Sequence, residues 1–328
     1  YTDNPTSFEK SSVNLSGDTM VTELPSTKKY KDKVSVIKGK LVWAGETENN
    51  TEYKWFSEVT DGATKKSESV RSEWKEKIAE EVEGVPVPKG FTYKEGTKDT
   101  GLVIKDDNGN EFVWVPATES TYRKDTSFPG VTPTRDDTLP NGIKDETADV
   151  VKYGGFYIGR YEAGIPEGDT SPSNKIGIPV SKKDATVWTN INYTNAKASA
   201  ENMISNEYVQ TGLLTGKAWD TVCHWIKSDD ELKDSRTYGN YINSLAPANE
   251  NSGTKRTAGF NENWKVKNIY DLAGNVWEWT SEAYSSISIS RGGSYDYGGS
   301  DFPVSCRDRD SASGANGVTG FRLRLYIK

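Results

Sequence analysis

Residues 268–328 constrain this chain more than any other stretch. Two strand-like flanks, NIYDLAGNVWEWT (268–280) and GFRLRLYIK (320–328), stand on either side of SRGGS (290–294) and of the segment YDYGGSDFPVSCRDRDSASGANGVT (295–319). The flanks are rich in aromatic and β-branched residues, which suits strands. The segment between is Ser, Gly, Asp, Tyr and Arg with no apolar period, which is the composition of a loop. From Ser294 to Thr319 it contains no Lys, Glu, Gln, Met or Trp, although Lys and Glu are abundant elsewhere.

That gap has a genetic reading beside the plain loop reading. Codons that began as AAC or AAT and had their adenines randomised can reach Asn, Asp, Ser, Gly, Tyr, Phe, Arg, Cys and Val. They cannot reach the five missing residues. A plain loop accounts for the missing Met and Trp, but not for Phe302, Cys306, Arg307 and Arg309 among glycines. The composition also suits a contact surface: Tyr gives rigid area at low entropic cost, while Ser, Gly and Asn adapt.

With 328 residues the chain has room for two domains. Hydrophobic residues are only 34% of it, so much must be loop and wet surface, with ten Trp and seventeen Tyr filling the core instead. A net charge of -7 with no basic stripe argues against nucleic acid as a partner. Cys223 and Cys306 make no disulfide framework. There is no transmembrane run, and Tyr1 in place of a starting Met leads us to expect a removed leader or anchor.

In chain order, 1–84 reads as a separate small region. Residues 1–29 are polar without period, and 34–45 give two short β runs around Lys38, Gly39 and Lys40. Val70, Trp74, Ile78 and Val82 then make one apolar stripe at helical spacing. The prolines of VPVPKGF (85–91) mark the boundary of a domain over 85–328. Asn108-Gly109 predicts a hairpin whose second strand, around Phe112–Val115, is apolar on both faces and therefore central. Residues 118–150 read as a long loop and 154–164 as a strand. A helix follows on Tyr193, Ala196, Ala200, Met203 and Ile204, capped by Asn192 or Thr194. A second is built on Ala218, Val222, Trp225 and Ile226, capped by Thr215, with loop over 228–267.

DLAGNVWEWT, RGGS and GFRL, in this order near the C-terminus, resemble the formylglycine-generating enzyme (sulfatase-modifying factor) family, a variant of the C-type lectin fold. FYIGRYEAG and LLTGKAWDTV resemble that family's early strand and its core-Trp helix, so the likeness spans 85–328. The same fold variant serves as the variable protein of diversity-generating retroelements, with hypervariable residues between RGGS-like and GFR-like motifs. VPVPKGFTY and NEFVWVP are also similar to lectin-like proteins of Gram-positive bacteria, some of them pilus-associated. The resemblance implies an α+β, loop-rich C-type lectin fold of the formylglycine-generating-enzyme type, with two helices and short antiparallel sheets, preceded by the small N-terminal region.

Copper-dependent members of the enzyme family use two cysteines shortly after RGGS. Those places fall near Tyr297 and Phe302, and a thiolate pair is what Cu(I) chemistry needs. No catalytic residue is therefore expected. His224, the single histidine, reads as a helix residue satisfied by a backbone carbonyl. In the family the matching turn binds calcium, which implies an optional Ca²⁺ at the Asp271 and Glu278 side chains and the Gly274 and Val276 carbonyls, with no cofactor required. The alternative is that Glu278 hydrogen-bonds the backbone amides of that turn, Trp277 and Trp279 face the core, and Asn275 is left-handed.

The resulting expectation is a non-enzymatic binding protein displayed on a bacterial or phage surface, with a variable region over 291–322. Scaffold residues would be Arg291, Gly292, Gly293 and Ser294 on one side and Gly320, Phe321 and Arg322 on the other. Ligand contacts would come from Asp296, Tyr297, Gly298, Asp301, Phe302, Cys306, Asp308, Arg309, Asp310, Ser311, Gly314, Asn316, Gly317 and Val318. Tyr297, Phe302 and Arg309 would be the energetic anchors. The partner would be a variable protein ligand on another cell, phage or host surface, since no EPN or QPD sugar-binding triplet occurs, with a pilus or other display partner besides. The rivals are a structural pilus or phage-tail adhesin subunit without diversification, and a formylglycine-generating oxidase.

Overall fold

The computed structural model describes residues 76–247 and 252–328, and four strands before them. Those strands are β1 (Ser12–Ser16), β2 (Thr19–Glu23), β3 (Val34–Ile37) and β4 (Lys40–Trp43), paired antiparallel in sequence order. β3 and β4 are the two β runs expected there. β1 and β2 fall in a stretch read as polar and aperiodic, although Val13 and Leu15 alternate with Ser and Asn as a strand requires.

A second compact unit runs from Lys77 to Lys328. It opens with β5 (Ile78–Val82) and β6 (Val85–Pro88), an antiparallel hairpin. The expected helical stripe is thus corrected at Ile78 and Val82, which lie in β5; Val70 and Trp74 lie outside the described residues. Glu83 (φ 52°) and Gly84 (φ 75°) are both left-handed, as a two-residue type I′ turn demands. The domain boundary placed at 84/85 falls inside this turn, and the compact unit begins before it.

The remaining elements are β7 (Phe91–Glu95), β8 (Val103–Asp106), β9 (Glu111–Pro116), α1 (Glu146–Tyr153), β10 (Gly155–Gly159), α2 (Tyr193–Met203), β11 (Val209–Leu213) and α3 (Gly216–Ile226). After them come β12 (Lys265–Val266), β13 (Ile269–Tyr270), β14 (Trp277–Tyr284), β15 (Ile287–Arg291), β16 (Arg307–Asp310), β17 (Thr319–Phe321) and β18 (Leu323–Ile327). The main sheet has the order β11-β18-β10-β9-β8-β7, every pair antiparallel. β9 is central and Phe112, Val113, Trp114 and Val115 are all buried, as its two apolar faces foretold. Asn108-Gly109 turns β8 into β9, with Gly109 at φ 82°.

Among the described residues there are three α-helices, not two. α1 corrects the end of the loop expected over 118–150. The Asp145 side chain accepts the Thr147 and Ala148 N–H groups, and Gly154 closes the helix at φ 79°. For α2 the cap is Asn192, which accepts the Asn195 N–H at 2.9 Å. For α3 it is Thr215, whose hydroxyl accepts the Ala218 N–H at 3.1 Å. Of the expected face, Ala218, Val222 and Ile226 are buried and Trp225 is half-buried; Trp219 beside them is buried and donates to the Val304 carbonyl at 2.9 Å.

The second sheet has the order β16-β15-β14-β17, and β17 runs parallel to β14. β17 ends at Phe321 in this sheet and β18 begins at Leu323 in the main one, so Arg322 is the joint between them. Its guanidinium is buried, donating to both Glu278 oxygens, to the Gly159 carbonyl of β10 at 3.1 Å and to the Tyr270 carbonyl of β13 at 2.9 Å. Two residues on, Arg324 is buried against Glu146 at the start of α1. The alternating basic residues of GFRLRLYIK are therefore internal pins, not a solvated edge.

Candidate ligand-binding face

RGGS fixes where the segment 295–319 leaves the fold. Arg291, at the end of β15, donates to Glu282 at 2.8 Å and to Asp220 at 2.6 Å. Arg307, at the start of β16, donates to Glu282 at 3.1 Å and to the other Asp220 oxygen. All four side chains are almost wholly out of water, two guanidinium groups closing a neutral ring with two carboxylates. Burial pushes the Glu282 carboxyl up, but Arg291, Arg307 and Lys124 outweigh it and hold the group below its usual range. Arg291 also donates to the Cys306 and Ser305 carbonyls at 3.1 and 3.0 Å. It thereby ties β15 to the far end of the first loop.

Gly292 (φ 97°) and Gly293 (φ 76°) then turn the chain outward. A Cβ on Gly293 would stand 2.4 Å from the Phe302 carbonyl oxygen, so this pair needs glycine both for its φ and for the packing of the returning loop.

The segment 295–319 is two exposed lobes parted by a buried strut. In the first lobe Asp296, Tyr297 and Asp301 are exposed, Gly298 and Phe302 half-buried. The rings of Tyr297 and Phe302 meet edge-on at 4.8 Å over Trp277, which lies 5.8 Å from Phe302 and is buried. Residues 303–307 then turn into the core. The Ser235 hydroxyl accepts the Val304 N–H at 2.9 Å, and the Ser305 hydroxyl donates to the Leu232 carbonyl at 2.7 Å. Cys306 is therefore corrected from a contact residue to a core one, because its backbone sits between Arg291 and β16 and its thiol has no surface to reach; burial pushes that thiol up to about 11. In the second lobe Arg309 and Ser311 are exposed, while Asp308, Asp310, Gly314, Asn316, Gly317 and Val318 are half-buried. Arg309 lies over the Tyr284 ring at 5.7 Å, and the Asn316 carbonyl accepts the Asn190 N–H at 2.7 Å.

Tyr297 and Phe302, the places the resemblance assigns to the cysteine pair, do come together, as rings. Cys223 and Cys306 are free and buried. His224 departs from expectation: its partners are the carboxylates of Asp125 (2.9 Å) and Asp229 (3.3 Å), with Phe128 stacked on the ring at 5.0 Å.

At the turn 271–278 Glu278 does not take the backbone amides that the alternative reading gave it. Glu278 is held by Arg322, with contacts of 3.0, 3.0 and 2.6 Å, so a guanidinium stands where a cation would have to approach. The Val276 amide goes to Glu162, which sequence reasoning missed, at 3.2 Å, and Glu162 also accepts the Asn275 side-chain N–H at 2.5 Å; the Gly274 and Asn275 amides go to the Gly292 and Asn240 carbonyls. Asp271 accepts the Gly259 N–H at 2.7 Å through Oδ2, while Oδ1 is buried without a hydrogen bond. Burial, with Glu278 beside it, pushes the Asp271 carboxyl up to about 7 against the pull of Gly259 and Arg322. A hard ion with six to eight oxygen ligands would have to do without Glu278, which Arg322 already holds. EDTA is accordingly expected to leave the melting temperature unchanged; a fall that added Ca²⁺ restores would overturn this. Asn275 is left-handed (φ 56°) and Trp277 and Trp279 are buried, as expected of this turn.

Residues 189–325 match the family model of the sulfatase-modifying factor enzyme 1-like domain, FGE-sulfatase. The fold is of the formylglycine-generating-enzyme, C-type lectin-like type: mostly sheet, with three helices among the described residues and much loop. No curated protein sequence matches the chain. Among solved structures, Treponema denticola variable protein 1 is similar over 73% of this chain and 99% of its own, at 15% identity and a TM-score of 0.38. PvdO from Pseudomonas aeruginosa is similar over 69% and 98%, at 15% identity and 0.38, and CarF over 61% and 97%, at 18% and 0.37.

Proposed function

We propose that this chain is a ligand-binding protein without enzymatic activity, displayed at a bacterial or phage surface. Its two lobes, 295–302 and 308–318, are diversified at adenines to meet variable protein ligands. The observation that carries this reading is the Tyr297–Phe302 ring pair, 4.8 Å apart and set outward where thiols would have to stand. Around it the backbone is pinned by charge pairs and glycine turns that leave exposed side chains free to change.

Two measurements test it. Sequencing the 3′ coding end across a population should find substitutions at Asp296, Tyr297, Asp301, Arg309 and Ser311 traceable to adenines in a near-copy of that DNA close by. Arg291, Arg307 and Arg322 should stay constant. Uniform sequence in the lobes, with no near-copy, would favour the undiversified adhesin. Separately, the purified chain should leave a Cys-containing sulfatase peptide unconverted with or without copper. Formylglycine above a no-protein control, seen by mass spectrometry, would restore the oxidase.

A further inference from the structure

The first lobe does not stand alone. Residues 241–245 are sewn to it: the Ile242 N–H donates to the Tyr297 carbonyl at 3.1 Å, and the Asn243 side chain accepts the Gly299 N–H at 2.9 Å. Beneath the seam Tyr241 is buried and donates to the Gly292 carbonyl at 2.7 Å. This places Ile242, 65% exposed, next to Tyr297, 41% exposed, whose ring packs on Phe302. Ile242 is outside 291–322, so it would be common to every variant of the lobe.

The charge on this face is one-sided. Residues 294–319 carry Asp296, Asp301, Asp308 and Asp310 against Arg307 and Arg309. Arg307 is consumed inside the buried ring and Arg309 lies over Tyr284. Nearby Arg236 is already forked onto Asp234, at 2.6 to 3.1 Å. Among the described residues no cation stands within ion-pair distance of Asp296 or Asp301, although the Arg236 guanidinium acts on Asp301 from farther off. Aromatic faces attract cations through their quadrupole, and carboxylates beside them supply the charge-assisted hydrogen bonds a guanidinium can fork onto. A neutral sugar would gain little from such carboxylates.

Resting on the ligand-binding reading above, we propose that Tyr297, Phe302 and Ile242, rimmed by Asp296 and Asp301, dock a protein partner through an arginine or lysine anchor. The cation sits on the ring pair and the carboxylates take its N–H groups. Ile242 covers the anchor's apolar stem and helps exclude water, as the neighbours of a hot spot do. Uncompensated negative charge also speeds encounter with a basic surface, so association falls with salt.

The probe is a phage-displayed library of random 12-residue peptides, panned on the full chain at low ionic strength. Counter-selection uses the Tyr297→Ser/Phe302→Ser double variant, its fold checked by protease resistance. Peptides that need the ring pair should carry Arg or Lys at a shared position several-fold above the starting library. They should bind at least tenfold more weakly in 0.5 M salt, and severalfold more weakly to Ile242→Ser. Peptides that need the rings yet show no basic enrichment or no salt dependence overturn the cationic anchor and leave the ligand-binding reading standing. Unchanged affinity on Ile242→Ser removes Ile242 from the surface. If no peptide depends on Tyr297 and Phe302, both this inference and the ligand-binding reading at this face fall.

Discussion

Arg307→Ala is expected to cost about 3–5 kcal/mol, although it lies inside the segment whose composition marks it as a free loop. Truncation removes one guanidinium from the buried ring and leaves Asp220 and Glu282 sharing Arg291, with Lys124 acting on Glu282 from farther off. An uncompensated charge out of water is among the few single changes that cost this much. It also frees the Asp125 carbonyl, which Arg307 holds at 2.9 Å. For a unit of this size the melting temperature should fall on the order of 10 °C. Asp301→Ser and Arg309→Ser, on the exposed lobes, should each stay within about 0.5 kcal/mol. The three variants can be ranked by urea denaturation. Equal, small effects would mean that residues 303–307 are no strut and that the whole segment is replaceable surface.

What the sequence could show follows from the range of the forces involved. The Asn108-Gly109 turn, the Asn192 and Thr215 caps and the apolar run of β9 are settled by neighbours in the chain, and they stand where they were expected. α1 was equally local, with Asp145 ahead of it and Gly154 behind, but its polar surroundings hid the cap. Of the 70–82 stripe, Ile78 and Val82 went to a strand because spacing by four says nothing of the competing Glu83-Gly84 turn, whose partner strand is VPVP. The site depends on distant pairs: Arg307 with Asp220, Ile242 with Tyr297, Glu162 with Asn275. No period or motif encodes those. Two hints were present, the apolar Pro303-Val304 inside a polar loop and the lone Glu162 in a strand-like stretch. Each marks a place where an apolar or charged residue contradicts its surroundings and therefore needs a tertiary partner.

Arg322→Ala should be as damaging, and its pH dependence should reveal why. The variant leaves Glu278 buried with no counter-charge, near the buried Asp271 and Glu162, and strips the donors from the Gly159 and Tyr270 carbonyls. A loss of about 3–5 kcal/mol is expected where all three carboxylates would ionise. Burial already pushes Glu278 above its usual range while Arg322 pulls it down, so losing the arginine raises it further. A carboxyl whose folded value lies above its unfolded one takes up a proton on folding. Its contribution is present at low pH and lost as pH rises through the folded value. The variant's deficit should therefore be largest at pH 8 and shrink at pH 5, while the parent changes less. Glu278→Gln in the same background should recover part of the loss at pH 8, with a coupling of about 1–3 kcal/mol between the two positions. Melting temperatures of the four proteins at both pH values decide the matter. A deficit indifferent to pH, with no recovery from Glu278→Gln, would mean that Arg322 joins the two sheets through its carbonyl contacts alone.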